Sequence, residues 1–134
     1  MSSTPESKVK ARVDAILTKY TDVIINPMTK GYGKSGVADK IVCMAGQFIA
    51  IETKSNQASG TKKYPTKLQQ RFLAKVMRNG GNVAVVNEDN IDELSFWLRE
   101  VARQAIHGGQ PAPLLFDGCP DPFDAEQARE VTVE

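Results

Sequence analysis

The chain has 134 residues and a mass of 14.7 kDa, which is enough for one hydrophobic core and too little for two. Hydrophobic residues make up 41% and charged residues 25%, which excludes a disordered, fibrous or membrane-embedded chain. The sequence has no apolar run long enough to span a membrane and no apolar N-terminal stretch that directs secretion. We therefore expect a cytoplasmic protein in which Cys43 and Cys119 are reduced thiols.

Charge is divided unevenly along the chain. Residues 1–106 carry 16 basic and 10 acidic side chains, a net charge of +6, whereas residues 107–134 carry one basic and six acidic side chains, a net charge of −5. The stretch from 54 to 78 contains basic residues and no acidic residue. Such an excess suits a polyanion such as nucleic acid, although a basic surface that only aids solubility is the simpler alternative.

The first predicted element is a helix over residues 5–20. Thr4 is suited to be its N-cap, Pro5 is favoured at the first helical position, and apolar residues then repeat at spacings of four and three. A short β-branched run within residues 22–26, ended by Pro27, predicts the first strand.

A glycine-rich basic loop at residues 30–36 leads into a predicted β-hairpin. Its strands are expected at residues 39–44 and 48–54, because each is a short apolar run and the turn at residues 45–47 contains a glycine. Residues 55–65 are rich in Ser, Asn, Gly, Lys and Pro, which is typical of a mobile loop.

The next part of the chain alternates helix, strand and helix. Thr66 is placed to cap a second helix that ends near residues 79–81. Residues 82–86 predict a fourth strand, and residues 90–107 predict a third helix with Trp97 on its buried side.

The predicted element order is αβββαβα. This order indicates an α/β domain over residues 1–107, with a mixed β-sheet flanked by helices. Residues 108–134 contain four prolines and six acidic residues, so we expect them to form an acidic, flexible C-terminal tail.

Three polar residues of the predicted hairpin are candidates for chemistry. The period of two places Glu52 and Lys54 on one face of their strand, about 6–7 Å apart. A turn at residues 45–47 brings Asp39, at the start of the partner strand, close to Glu52. Neighbouring carboxylates raise each other's pKa unless a cation lies between them, and Mg²⁺ takes such oxygen ligands. The simpler alternative is that Asp39 caps the hairpin or pairs with Lys40 or Lys54.

Two further polar residues lie on the predicted helices. Gln69 falls within the apolar arc of the second helix, where a buried amide must be hydrogen-bonded, either to the backbone or to a polar site on the sheet. Glu6 lies in the first turn of the first helix, where the helix dipole alone favours a carboxylate.

Taken in order, these residues resemble the PD-(D/E)XK nuclease superfamily, in particular its small phage and bacterial VRR-NUC members. The resemblance covers roughly residues 4–86 and implies a restriction-endonuclease-like core. Ala38 stands where the family usually has proline, a position that shapes the chain and holds no metal. The matching segments are residues 4–6, 31–39, 48–54, 65–69 and 80–86.

The resemblance also implies a metal site and the residues that form it. Asp39 and Glu52 would bind Mg²⁺ or Mn²⁺ together with the main-chain carbonyl of Thr53. Glu6 would contribute directly or through a water. Such an ion polarises a phosphoryl oxygen and lowers the pKa of a bound water, which is the chemistry of metal-assisted phosphodiester hydrolysis.

Two further catalytic roles are implied by the resemblance. Lys54 would orient the attacking water and offset the charge that grows on the phosphate, and Gln69 would hold Lys54 or the water in place. The DNA contacts are expected from basic side chains of the glycine-rich loop and of the basic stretch: Lys30, Lys34, Lys62, Lys63, Lys67 and Arg71.

The resemblance therefore predicts a metal-dependent endonuclease that cuts branched or four-way (Holliday) junction DNA as a homodimer, in a bacterium or a phage-infected cell. The alternative is a DNA-binding module without catalysis, in which the acidic pair is structural. A nucleotide-binding P-loop at residues 33–35 is disfavoured, because Met28 stands where that motif needs glycine and a strand follows instead of a helix.

Overall fold

The computed structural model describes residues 4–27 and 36–122 of the chain. Within these ranges, three α-helices and four β-strands follow the predicted order αβββαβα. The helices are α1 (Pro5–Leu17), α2 (Lys67–Arg78) and α3 (Leu94–His107), and the strands are β1 (Ile24–Ile25), β2 (Lys40–Met44), β3 (Gln47–Thr53) and β4 (Asn82–Val86).

The four strands form one mixed sheet in the order β1-β2-β3-β4. β1 pairs antiparallel with β2, and β2 with β3, whereas β3 and β4 are parallel and are connected through α2. The hairpin between β2 and β3 turns at Ala45 and Gly46, whose φ angles of 53° and 77° are those that a tight two-residue turn requires. Its register pairs Lys40 with Ile51, so the residue before β2 lies beside the end of β3.

Helices cover both faces of this sheet, as predicted. α1 and α3 contribute Leu17 and Leu98 to the larger hydrophobic cluster, which also contains Ile49 of β3. On the opposite face, Leu73 of α2 belongs to a second cluster with Ala50. Consecutive side chains of β3 therefore point to opposite faces of the sheet and pack in two different hydrophobic clusters. Among the described residues, no helix combines the length and apolar character that a membrane span requires.

The structure differs from the predictions at several element boundaries. α1 ends at Leu17, because residues 18–20 continue as a turn, and α3 begins only at Leu94, after a 3₁₀ helix at Ile91–Glu93. β1 has two residues, since it is an edge strand and Pro27 has no N–H to extend it. Part of the expected loop at 55–65 forms a second 3₁₀ helix, Gly60–Lys63.

The segment after α3 also differs from the solvated tail that we expected. Leu114 donates its N–H to Val83 O (3.1 Å) and accepts from Val85 N (2.8 Å), so it extends the sheet beside β4. Trp97, buried as predicted, donates its indole N–H to Ala112 O at 2.9 Å. Phe116 is only 5% exposed. Apolar side chains thus cover the otherwise open edge of β4. Residues 123–134 lie outside the described residues.

We expect Phe116→Ala to lower the free energy of unfolding by about 3–5 kcal/mol, because the truncation leaves a cavity in the smaller core. Denaturant titration followed by circular dichroism measures the loss. Phe96→Ala is the matched control, since the Phe96 side chain is 61% exposed and its removal should cost about 1 kcal/mol or less. Equal losses in the two variants would contradict the packing of residues 112–116 on β4.

Candidate active site

Asp39 lies directly before β2 and is held against the end of β3. Its Oδ2 atom accepts hydrogen bonds from the backbone N–H of Thr53 (2.9 Å) and from the Thr53 hydroxyl (2.7 Å). The antiparallel register explains this contact, because it places the residue before Lys40 opposite Glu52. The predicted proximity of Asp39 to this end of β3 is confirmed.

Glu52 and Lys54 share one face of β3, as the period of two predicted. Lys54 directly follows the strand and continues its pairing through a hydrogen bond from its N–H to Val86 O (2.9 Å). Both side chains are buried, and Glu52 Oε2 lies 3.5 Å from Lys54 Nζ. The other carboxylate oxygen, Glu52 Oε1, is buried without a hydrogen-bond partner among the described residues. A buried acceptor in this state destabilises the fold until a donor or a cation reaches it.

Helix α1 adds a third carboxylate and a second ammonium group. Thr4 caps the helix by accepting a hydrogen bond from Ser7 N (3.1 Å), which places Glu6 in the first turn. Lys10 lies one turn later, and its Nζ atom is 3.4 Å from Glu6 Oε2 and 3.6 Å from Asp39 Oδ1. We use the name charged cluster for the following five residues: Glu6, Lys10, Asp39, Glu52 and Lys54.

Burial and charge change the ionisation of this cluster. Burial, and then the negative charge of Asp39, raise the pKa of Glu52 from its ordinary value of 4.5 to about 8, although Lys54 opposes the shift. Burial acts to lower the pKa of Lys10, but the carboxylates of Asp39 and Glu6 outweigh it, so this pKa lies above its ordinary value. While Glu52 is protonated, the carboxylates of Glu6 and Asp39 balance the two ammonium groups, and ionisation of Glu52 gives the cluster one excess negative charge.

The arrangement fits a divalent cation. Within residues 4–27 and 36–122, no three side chains of Asp, Glu, His or Cys are arranged to hold a metal ion by themselves. Mg²⁺ and Mn²⁺ sites often use fewer protein ligands, since Mg²⁺ keeps several waters. The orphaned oxygen of Glu52 is the observation that favours a cation, because a positive charge beside it satisfies the oxygen and relieves the repulsion from Asp39.

Gln69 occupies a different environment from the one predicted. Its Oε1 atom accepts a hydrogen bond from Thr66 N (2.8 Å), and Thr66 Oγ1 accepts one from Gln69 N (3.1 Å). These reciprocal bonds form a capping box at the start of α2. The side-chain oxygen thus satisfies the backbone, which was the alternative to a catalytic contact, and Gln69 is half-buried instead of lying in the core.

Four of the six basic residues expected to contact DNA lie on α2 and on the 3₁₀ helix before it. Gly36, at the end of the glycine-rich loop, has a φ of +87°, and a Cβ atom there would lie 2.9 Å from the backbone of Leu68. Gly36 therefore lies against the first turn of α2. Lys30 and Lys34 lie outside the described residues. Among the residues predicted to contact DNA, the structure describes Lys62, Lys63, Lys67 and Arg71.

Two features of the site were missed in the sequence. Lys10 lies four residues after Glu6, a spacing that brings two side chains together on a helix. This spacing was the signal in the sequence that could have placed Lys10 beside Glu6. The segment after Lys54 is fixed by Glu88, which accepts hydrogen bonds from the Ser55 hydroxyl and from Asn56 N. Glu88 is distant in sequence, so no local spacing predicts this contact.

Comparison with known proteins adds nothing to this description: no protein-family model, no curated protein and no solved structure matches the chain. The α/β class is a property of the described structure. The assignment to a nuclease family is a proposal that rests on the residues of the charged cluster and on the segments that surround them.

Proposed function

We propose that the chain is a Mg²⁺- or Mn²⁺-dependent DNA endonuclease with a restriction-endonuclease-like core. The observation that carries the proposal is the convergence of the charged cluster at one end of the β2–β3 hairpin, with a buried carboxylate oxygen that has no hydrogen-bond partner in residues 4–27 and 36–122. Ordinary ion pairs on a protein surface keep their charged groups in water. Burial of a charged group costs free energy unless a partner compensates its charge.

The residues of the cluster have distinct roles in this proposal. Asp39 and Glu52, with the main-chain carbonyl of Thr53, would hold the ion, and Glu6 would contribute directly or through a water. When bound, the ion supplies Lewis-acid polarisation of the phosphate and a lower pKa for the attacking water. The hydrogen bonds from Thr53 to Asp39 Oδ2 fix this carboxylate before the ion arrives.

Lys54 stabilises the negative charge that develops on the phosphate in the transition state. Its ammonium group is held beside Glu52 by an ion pair, and its side chain is only 10% exposed. A buried and fixed positive charge acts more strongly than a solvated one, because little water screens it and no reorganisation is needed during the reaction. Lys54 also orients the attacking water.

The DNA substrate would lie across the side of the molecule formed by α2 and the preceding 3₁₀ helix. Lys67 and Arg71 are exposed one helical turn apart on α2, and Lys62 and Lys63 precede them in the chain. Lysine and arginine side chains in such a row bind consecutive phosphates without reading the base sequence. This arrangement supports DNA binding without base-sequence specificity, and the preference for branched or four-way junctions is part of the same proposal.

We also propose that the active form is a homodimer in the cytoplasm of a bacterium or of a phage-infected cell. Two copies would bring two charged clusters to two strands of a junction, which a single copy does not achieve. No nucleotide cofactor takes part in this proposal.

We expect the purified protein to cut DNA only when Mg²⁺ or Mn²⁺ is present, and to leave 5′-phosphate ends. The measurement compares linear, single-stranded, flapped and four-way junction DNA of matched length, each with the metal and with EDTA. Asp39→Asn, purified in the same way, is the control for contaminating nucleases and should be inactive. If the wild type binds these substrates but cuts none with either metal, the non-catalytic DNA-binding module is the correct function.

A further inference from the structure

The position of Lys10 in the charged cluster has a consequence for metal binding. Asp39 Oδ2 already accepts two hydrogen bonds from Thr53, so Oδ1 is the oxygen of this carboxylate that remains for a cation. Lys10 Nζ lies 3.6 Å from that same Oδ1 atom. A divalent ion bound to Asp39 and the Lys10 ammonium group therefore compete for one oxygen.

We infer that Lys10 is a built-in counter-ion that occupies the metal site in the absence of metal and must move out when a divalent cation binds. This inference rests on the proposed function, and it assigns to Lys10 a positioning role that regulates how readily the site is loaded. The ammonium group compensates the negative charges of Glu6 and Asp39, and two cations within a few ångströms of each other repel.

The exposure of the two lysines shows which one is able to leave. The side chain of Lys10 is 39% exposed, whereas that of Lys54 is 10% exposed. Lys10 reaches water by rotating its flexible stem, at the loss of two partly exposed ion pairs that are individually weak. Lys54 remains beside the almost fully buried Glu52. Metal binding thus exchanges Lys10 for the ion and keeps Lys54 in place.

The inference is tested by calorimetric titration of Mn²⁺ into the full chain without DNA, in mildly alkaline buffer. Lys10→Met keeps the length of the stem and removes the charge, so we expect its Kd for Mn²⁺ to fall by about tenfold. Lys10→Arg keeps the charge and should bind Mn²⁺ within about threefold of the wild type. The control is Lys8→Met, which removes the same charge from an exposed position on α1 and should change Kd less than twofold.

A second readout is the Mn²⁺-induced rise in melting temperature, which should be larger in Lys10→Met than in the wild type because tighter binding stabilises the native state more. Circular dichroism shows whether each variant is folded. If the wild type binds Mn²⁺ and Lys10→Met binds it equally or more weakly, the role given to Lys10 is wrong while the proposed nuclease stands. If neither protein binds Mn²⁺, the metal-dependent function itself fails and the inference fails with it.

Discussion

Replacement of Lys54 by methionine is expected to lower the rate of DNA cleavage by about 10²–10³-fold, because it removes the fixed positive charge that stabilises the transition state. Methionine is unbranched and preserves most of the apolar stem of the buried side chain. DNA affinity should change little, since the basic residues on α2 and on the 3₁₀ helix before it supply the phosphate contacts. Single-turnover cleavage with saturating Mg²⁺ measures the effect on the chemical step.

The matched control is Lys19→Met, which removes the same charge from an exposed position just after α1 and should retain the wild-type rate within about threefold. DNA binding of both variants is measured with EDTA present, so that cleavage does not interfere. A Lys54→Met variant that cuts at the wild-type rate would show that Lys54 has no part in the reaction. Loss of cleavage together with loss of DNA binding would assign Lys54 to binding instead.

Glu52→Gln is expected to abolish cleavage and, in mildly alkaline solution without metal, to stabilise the fold. Glutamine has nearly the same shape but carries no charge, so it removes both a proposed metal ligand and the repulsion from Asp39. A loss of function together with a gain in stability is typical of a strained catalytic site and not of a structural ion pair. Cleavage assays and thermal unfolding of the same preparation measure the two effects.

The raised pKa of Glu52 makes the stability of the wild-type fold depend on pH. The pKa of Glu52 is raised in the folded state to about 8 from its ordinary value of 4.5, so between these values the folded state binds more protons than the unfolded state. The contribution of Glu52 to stability is therefore fully present below pH 4.5 and is lost as the pH rises from 4.5 towards 8.

Without metal, the melting temperature of the wild type should accordingly fall over this pH range by more than that of Glu52→Gln. Glu100→Gln, which changes a carboxylate on α3 outside the charged cluster, is the control and should follow the wild type. Parallel pH profiles for the wild type and Glu52→Gln would contradict the burial of a protonated carboxyl at this position. Added Mg²⁺ should reduce the difference between them, because the ion favours the ionised carboxylate.

The features of the fold and site that were predicted correctly are those that local sequence patterns determine. Alternation placed Glu52 and Lys54 on one face, and the hairpin turn brought Asp39 to the end of β3, because strand pairing leaves little choice of register once the turn is known. The caps at Thr4 and Thr66 were also predicted, since their signals lie within four residues.

The features that were missed depend on how elements pack in three dimensions. Lys10 joins the cluster because α1 packs against β3 with this side chain turned towards Asp39, and helix periodicity does not specify that rotation for a polar face. The segment at 112–116 is too short for a periodic pattern, although four of its five residues are apolar, and its burial follows from the open edge of β4. Gln69 was ambiguous because a glutamine at the third helical position serves the cap as well as a distant site.

The aromatic contact between the C-terminal segment and the loop before α2 links two regions that are distant in the chain. The ring of Tyr64 stacks on that of Phe116, with their centroids 6.2 Å apart. Tyr64 directly follows the 3₁₀ helix that carries Lys62 and Lys63. The strand-like segment beside β4 therefore anchors the residue that directly follows these two lysines, at the surface that we propose for the nucleic acid.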